Sequence, residues 1–204
     1  MGKKNIVLIG MMAAGKTTIG FKLVKKLNYN FFDVDSEIEK SENEKIIDIF
    51  QNKGEGYFRK IEEKIALAFL EKNNCVISLG GGAFLNENIR KKINKNSYSF
   101  WLNWKIKTIL DRISKNKRRP LALKLNNRDL ENLYRKRIKF YKLSNFKVNC
   151  ENKNKNEIIR NIFKFSFIIL ILIGLIYVIG SIDFPAPNKK IEKIIPNENF
   201  KIIK

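Results

Sequence analysis

Short apolar runs alternate with amphipathic stretches from the start of the chain to about residue 163. Runs rich in β-branched and aromatic residues predict five strands, at 6–9, 29–33, 75–79, 97–104 and 146–150. Apolar residues at helical spacing predict helices at 17–27, 46–50, 58–70, 105–115, 128–142 and 156–163. Strands that alternate with helices form a parallel sheet covered on both faces. The pattern therefore predicts an α/β domain, a three-layer αβα sandwich around a five-stranded parallel sheet.

The apolar pattern changes abruptly after residue 164. Residues 165–182 carry no charge and are predominantly apolar, and their number is close to the minimum for crossing a bilayer. Lysines flank this segment on both sides, so the flanking charges leave its orientation open. We expect a folded domain at 1–163, a transmembrane helix at 164–183 and a short polar tail at 184–204. A false gene fusion or a frame error would leave the same pattern and stays open as an alternative.

The amino-acid composition excludes more kinds of active site than the net charge of the chain does. The chain has no histidine, which excludes Ser/His/Asp and Cys/His nucleophile systems and histidine metal sites. Its formal charge is +21, but the basic residues are mostly lysines spread along the whole chain. No aromatic-basic RNA signature accompanies them, so we expect no nucleic-acid partner. Cys75 and Cys150 lie far apart and have no metal-ligand spacing.

Residues 10–17 carry the strongest chemical signal in the sequence. Gly10, Gly15, Lys16 and Thr17 match the pattern G-x-x-x-x-G-K-[ST] between a predicted strand and a predicted helix. Glycines let the backbone N–H groups approach phosphate, and the positive end of the helix adds to the attraction. Lys16 reaches the outer phosphates, and the Thr17 hydroxyl binds Mg²⁺. The pattern predicts a nucleoside triphosphate site and leaves the acceptor open.

Several further residues have alternative interpretations when each is taken alone. Asp33 and Asp35 lie at the end of the second predicted strand, where alternation would point both to the same side, and they suit either a strand-end cap or a catalytic site. The glycines at 80–82 suit either a tight turn or a backbone contact with a ligand. Arg59, Arg119 and Arg137 would individually pass for surface arginines, although a lysine-rich chain that retains arginine favours a need for its bidentate fork. The polar segment 118–129 is a candidate lid.

The order of these motifs is more specific than any one of them. A phosphate loop is followed by D-x-D, G-E-G-Y-F-R, G-G-G, R-P-L and R-x-x-x-Y. This order resembles the shikimate kinase family over residues 5 to about 163. The resemblance implies a P-loop NTPase-type fold of the nucleoside monophosphate kinase kind. It also implies transfer of the γ-phosphoryl group of ATP to the 3-hydroxyl of shikimate.

The resemblance also implies roles for individual residues. Asp35 would orient or deprotonate the shikimate hydroxyl, and Arg59 and Arg137 would hold the shikimate carboxylate. The backbone at Gly81 and Gly82 would support the ring. The implied ATP contacts are Ala13, Ala14, Gly15, Lys16, Thr17, Thr18, Arg112 and Arg119, and the implied catalytic residues are Lys16, Asp35 and Arg119.

For the metal, the resemblance implies one Mg²⁺ ion that Thr17 binds directly and Asp33 binds through water. Arg119 would close over the ATP phosphates with the lid. Ala13 departs from the family, whose loop usually has a glycine two positions before Gly15. Either a somewhat different loop torsion or a looser phosphate contact would follow from this departure.

Two other functions stay open at this stage. Another small-molecule P-loop kinase, acting on gluconate or a nucleoside monophosphate, would explain the loop and the lid but not 80–82 with both arginines. A membrane-anchored nucleotide-binding module without turnover would explain segment 165–182. We expect a monomeric kinase domain in the cytosol with ATP and shikimate as partners. A tether to the inner membrane through 165–182 is a further hypothesis.

Overall fold

A five-stranded parallel sheet forms the centre of the domain in the computed structural model, which describes residues 5–115 and 126–180. The strands, in chain order, are β1 Asn5–Ile9, β2 Asn30–Asp33, β3 Cys75–Ser78, β4 Ser97–Asn103 and β5 Phe146–Asn149. In the sheet their order is β2-β3-β1-β4-β5. All four neighbouring pairs are parallel. The five strands predicted from the apolar runs are therefore confirmed.

Helices connect the strands. Within the described ranges they are α1 Lys16–Leu27, α2 Val34–Glu42, α3 Ile46–Asn52, α4 Gly54–Glu71, α5 Glu87–Asn96, α6 Ile106–Ser114, α7 Asn127–Tyr141 and α8 Lys155–Gly180, with a short 3₁₀ helix at Ala83–Leu85. The chain forms two compact units, Met1–Phe167 and Ile168–Lys204, and the whole sheet lies in the first. The domain boundary predicted after residue 163 stays a prediction.

The central strand β1 is buried along its whole length. Val7, Leu8 and Ile9 are completely inaccessible to solvent, since β3 and β4 pair with its two edges and helices cover its faces. A strand covered on both faces is apolar at every position rather than at alternate positions. This is why the apolar run at 6–9 already identified it.

The strand order also determines where a ligand can bind. The connection through α1 leads from β1 out to the edge strand β2, whereas the later connections run back across the sheet. Because such crossovers are right-handed, this reversal places α1 on the opposite face of the sheet from the helices that connect the other strands. A crevice then opens at the carboxyl ends of β1 and β3, where open α/β sheets bind their ligands.

Two helices were not anticipated from the sequence. The helix α2 begins at Val34, directly after β2, and α5 spans residues 87–96. The expectation that strand alternation orients Asp33 and Asp35 alike is therefore wrong. Asp33 is instead the N-cap residue of α2, and its carboxylate accepts a hydrogen bond from the Ser36 backbone N–H. Asp35 lies in the first turn of this helix.

The transmembrane helix predicted at 164–183 is not supported. Helix α8 runs from Lys155 to Gly180. None of the helices within residues 5–115 and 126–180 combines the length and the apolar character that crossing a bilayer requires. Residues 181–183 of the predicted span and the tail at 184–204 lie outside the described residues.

Candidate active site

The loop between β1 and α1 has backbone torsions that glycine normally supplies. Gly10 has φ +146° and Gly15 has φ +86°, and Ala13 between them has φ +62°. Met12 and Ala14 are not in the positive-φ region, so the sign of φ alternates from Met12 to Gly15. Such alternation turns successive N–H groups toward one concave surface and creates an anion site. The departure noted at Ala13 is therefore a residue with a side chain in a left-handed conformation.

Lys16 is folded over this loop and is only 6% exposed. Its ammonium donates hydrogen bonds to the Gly10 carbonyl at 3.0 Å and to the Met11 carbonyl at 3.1 Å. These bonds hold the cation beside the N–H groups that face the phosphate position. The loop thus has both the oriented amides and the charge that a triphosphate requires.

Thr17 and Asp33, the two predicted metal ligands, are in direct contact. The Thr17 hydroxyl donates to Asp33 Oδ2 at 2.7 Å, and the other oxygen of Asp33 caps α2. Mg²⁺ prefers oxygen ligands and is commonly bound by one or two protein groups together with substrate phosphates. In the described part of the chain, no group of three or more acidic, cysteine or histidine residues is arranged so that it could hold a metal ion. A hydroxyl and a carboxylate beside a phosphate loop fit a metal that arrives with its nucleotide.

The turn after β3 brings four charged side chains together. A Cβ atom on Gly80 would lie 2.4 Å from Glu62 Oε1 and 2.6 Å from Asp35 Oδ1. On Gly81 it would lie 2.9 Å from a guanidinium nitrogen of Arg137, and on Gly82 it would lie 2.5 Å from one of Arg59. Each glycine is thus covered by a different charged group. The structure assembles Asp35, Arg59, Arg137 and the glycine turn, which the sequence could only place in order.

Arg59 is held by two carboxylates on its own helix. Its Nη1 donates to Glu62 Oε2 at 2.6 Å, and its Nε and Nη2 donate to Glu55 Oε1 at 3.1 and 3.0 Å. Burial opposes the charge of Arg59, but Glu62 and then Glu55 hold its pKa above the ordinary value. The guanidinium group is therefore fixed in place and charged, with 34% of the side chain exposed toward a ligand.

Glu62 is a site residue that the sequence did not single out. It is 2% exposed and contacts both Arg59 and the space above Gly80. Burial raises the pKa of Glu62, against the lowering effect of Arg59, and the nearby Asp35 raises it further. Glu62 is one of several glutamates in this part of the sequence, and nothing in the pattern distinguishes it from its exposed neighbours. Its spacing of three residues from Arg59 is the only local signal.

Arg137 lies deeper than Arg59 and is only 8% exposed. Its Nη1 contacts the Met11 sulfur at 3.8 Å, and its buried Nε has no hydrogen-bond partner among the described residues. Tyr141, one turn further along α7, donates its hydroxyl proton to the Gly81 carbonyl. Burial raises the pKa of Tyr141 to about 12, so the phenol stays protonated at neutral pH. A buried guanidinium group with unused donors, beside this turn, is suited to a carboxylate ligand.

A cleft of about 570 Å³ opens on the other side of the phosphate loop. Ala14, Gly15, Thr18, Trp104 and Arg112 contribute to its lining. The Arg112 guanidinium carbon lies 3.6 Å from the centre of the Trp104 ring. A flat cation stacked on an indole, next to a phosphate site, forms a surface on which a nucleotide base can lie. The structure therefore places Thr18 and Arg112 beside the phosphate loop, and their contact with ATP stays a prediction.

Arg119 and most of the candidate lid at 118–129 lie outside the residues that the structure describes. Residues 116–125 are not among the described residues, so the role implied for Arg119 stays a prediction. The last residues of the segment, from Asn127 onward, form the start of α7. Tyr134 of this helix reaches the other site elements by donating to the Trp104 carbonyl at 3.0 Å.

The chain is similar in sequence to proteins of known function. The family model for shikimate kinase matches residues 12–166. A curated shikimate kinase of Persephonella marina is 38% identical over 159 residues, which cover 78% of this chain and 96% of that protein. One of Sulfurihydrogenibium sp. is 40% identical over 159 residues, covering 78% and 95%.

Solved structures give the same result at the level of the fold. Shikimate kinase from Acinetobacter baumannii, solved in complex with shikimate, matches with a TM-score of 0.76 at 27% identity, covering 81% of this chain and 93% of that one. Shikimate kinase from Aquifex aeolicus matches with a TM-score of 0.70 at 37% identity, covering 78% and 94%. A deoxyadenosine kinase from M. mycoides has a TM-score of 0.57 at 21% identity and shares the fold.

Proposed function

This chain belongs to the shikimate kinase family, and we propose that it transfers the γ-phosphoryl group of ATP to the 3-hydroxyl of shikimate. The observation that carries the proposal is the arrangement around the turn at 80–82. Two guanidinium groups, those of Arg59 and Arg137, and the Asp35 carboxylate surround this turn beside the phosphate loop. Fixed arginines select a carboxylate, and a neighbouring aspartate accepts a hydrogen bond from a hydroxyl. Shikimate carries both groups.

The acceptor hydroxyl is oriented by Asp35. Its Oδ1 lies near Gly80, at the edge of the sheet where the phosphate loop also lies. As the hydroxyl oxygen attacks the γ-phosphorus, Asp35 accepts the proton. Glu62 supports this arrangement from behind by fixing Arg59, so that shikimate is held at two ends. Phosphoryl transfer depends mainly on such positioning, which removes the need for a histidine base.

The groups that bind ATP also neutralise the negative charge that develops on the transferred phosphoryl group. Backbone N–H groups of the loop and the Lys16 ammonium bind the phosphate oxygens, whereas the Ala14 N–H donates to the Met11 carbonyl at 3.2 Å. Thr17 and Asp33 are the residues that would hold Mg²⁺, with the Thr17 hydroxyl as the direct ligand and Asp33 acting through water. The ion neutralises charge on the β and γ oxygens when it is bound. Arg119 contributes a further positive charge from the lid, and lid closure keeps water from the γ-phosphoryl group.

One assay on the full chain tests the function. ADP release is measured with shikimate, gluconate or AMP as the acceptor, each with MgATP. We expect ADP release that depends on shikimate and that falls to background when shikimate is omitted. Release that depends on gluconate or AMP instead would assign the chain to another kinase activity. ATP binding without acceptor-dependent release would identify a nucleotide-binding module without turnover.

A membrane tether through 165–182 is a hypothesis that rests on the sequence pattern alone. Fractionation of cells that produce either the full chain or its Ile173→Lys variant tests it, because a lysine at the centre of a spanning helix opposes insertion. Membrane association that the exchange weakens would support the tether. A chain that is wholly soluble in both cases would reject it.

A further inference from the structure

Ala13 has an unfavourable backbone conformation that contacts from the rest of the site must stabilise. Its φ of +62° is a left-handed conformation, which costs a residue with a Cβ free energy that glycine avoids. The alternation of φ from Met12 to Gly15 depends on this residue, and the alternation turns the loop N–H groups toward the phosphates. An isolated loop of this sequence would relax toward negative φ at residue 13. Contacts from elsewhere must therefore oppose the relaxation.

The carbonyl groups of Ala13 and Ala14 need hydrogen-bond partners of their own. The Trp104 indole N–H donates to the Ala14 carbonyl at 3.0 Å, and Arg112 donates to the Ala13 carbonyl at 3.4 Å. Ala14 is 2% exposed and Trp104 is 7% exposed, so water does not readily replace the indole bond. The two donors thus form hydrogen bonds with two consecutive peptide groups of the loop.

The position of Trp104 is itself rigidly defined. It directly follows β4, whose Trp101 pairs in register with Ile9, the last residue of β1. The Trp104 carbonyl accepts a hydrogen bond from Tyr134 at 3.0 Å, and the Arg112 guanidinium group stacks on its ring. The sheet and Tyr134 of α7 thus fix the Trp104 backbone, and Arg112 of α6 packs on its ring. A rigid donor beside a strained residue is what allows the strain to persist.

We infer that Trp104 is a positioning residue for the phosphate loop, which it holds in its anion-binding conformation in compensation for alanine at position 13. It acts on ATP through the Ala14 carbonyl rather than only as a surface for the base. This role rests on the proposed use of residues 10–17 for ATP phosphates. It assigns to Trp104 a function in nucleotide affinity that neither its burial nor its place after a strand would indicate.

Trp104→Phe in the full chain is the variant that tests this role. Phenylalanine keeps an aromatic ring beneath Arg112 but removes the N–H donor, so that the Ala14 carbonyl loses its partner. We expect the Kd of ADP and the Kd of inorganic tripolyphosphate, both measured by calorimetry, to rise by a similar factor of roughly ten. The KM of shikimate should stay within about two-fold of wild type, since one lost bond at the loop leaves the arginine site intact.

Two comparisons make the result specific to the loop. Trp101→Phe makes the same chemical change at a tryptophan that is 2% exposed, and it should leave tripolyphosphate affinity unchanged. Ala13→Gly in the Trp104→Phe background should restore most of the affinity, because glycine adopts positive φ without strain. Thermal unfolding of every variant establishes that the fold is retained at the assay temperature.

Two outcomes would overturn the inference. A loss of ADP affinity with unchanged tripolyphosphate affinity would show that Trp104 serves the base alone. If Trp104→Phe lost equal affinity with and without the Ala13→Gly exchange, Trp104 would not compensate for the strain at this position. Failure of the proposed function gives a different pattern, since the binding measurements need no acceptor and would stand even if shikimate were not phosphorylated.

Discussion

At the scale of single residues, the conformation of Ala13 has a direct consequence for stability. Left-handed backbone costs an alanine about 1–2 kcal/mol, part of which is offset because glycine is freer in the unfolded chain. We predict that Ala13→Gly raises the free energy of unfolding by roughly 0.5–1 kcal/mol. Urea denaturation of the full chain measures it. Ala14→Gly is the matched control, and because Ala14 is not at positive φ it should bring no gain.

Arg59 shows how a single side chain can hold one substrate and not the other. Its guanidinium group contacts Glu55 and Glu62 at once and still faces the turn at Gly82. A lysine ammonium is a point charge and cannot make these contacts together. We predict that Arg59→Lys raises the KM of shikimate roughly 10- to 100-fold and leaves the KM of ATP nearly unchanged.

Steady-state kinetics with each substrate varied in turn measure the effect of Arg59→Lys. Arg160→Lys is the control, because Arg160 is exposed on α8 and contacts no site residue that the structure describes. If Arg59→Lys had the shikimate kinetics of wild type, the assignment of Arg59 to the substrate carboxylate would be wrong.

At the scale of elements, the turn after β3 needs glycine at 80–82 because charged side chains lie directly against its backbone. A Cβ atom on Gly82 would stand 2.5 to 2.8 Å from three atoms of the Arg59 guanidinium group. That group is the far end of a side chain, so it would shift rather than the backbone of the turn. We therefore predict that Gly82→Ala changes the free energy of unfolding by less than about 1 kcal/mol but raises the KM of shikimate at least ten-fold.

Gly56 offers a contrast within the neighbouring helix α4. A Cβ atom at Gly56 would meet nothing within 4 Å, and its φ is not positive. Gly56→Ala should therefore stabilise the protein by roughly 0.5–1 kcal/mol through better helix propensity, with unchanged shikimate kinetics. Denaturation and kinetics on both glycine variants separate the two effects. Loss of stability in Gly82→Ala with normal kinetics would contradict the function given to the turn.

At the scale of the whole molecule, the Tyr141 hydroxyl links folding to alkaline pH. Burial raises its pKa to about 12 in the folded state, against about 10 in an unfolded chain. The unfolded state therefore releases this proton first. The stability that the protonated phenol contributes is complete below pH 10 and is lost as the pH rises through 12. The loss amounts to at most about 3 kcal/mol.

Tyr141→Phe isolates this contribution from the titration of the lysines, which both proteins share. At neutral pH we expect the variant to be less stable by about 1–2 kcal/mol, because the Gly81 carbonyl loses its donor. The difference in unfolding free energy should then shrink between pH 10 and 11.5 and move toward a more stable variant. Urea denaturation at a series of pH values measures it. A difference that stays constant up to pH 11.5 would contradict the raised pKa.

The strands and the donor site could be predicted from the sequence alone. Both are local: β1 is apolar from Ile6 to Ile9 because both of its faces are covered, and the phosphate motif is eight consecutive residues that lead from the end of β1 into α1. The order of the later motifs was enough to identify the family. Helix α2 was missed because β2 runs into it with only Asp33 as a cap, so no turn residue marks the change.

The construction of the acceptor site, in contrast, depends on contacts that only the folded chain makes. Glu62 and Glu63 are adjacent and chemically identical in the sequence, but only Glu62 is buried, against Arg59 and Asp35. Likewise, the bond from Trp104 to Ala14 joins residues 90 positions apart. Local pattern reports which face of an element is apolar, whereas contacts between distant segments depend on sheet order and register. Those contacts determine which charged groups meet at the turn and what keeps a strained loop in position.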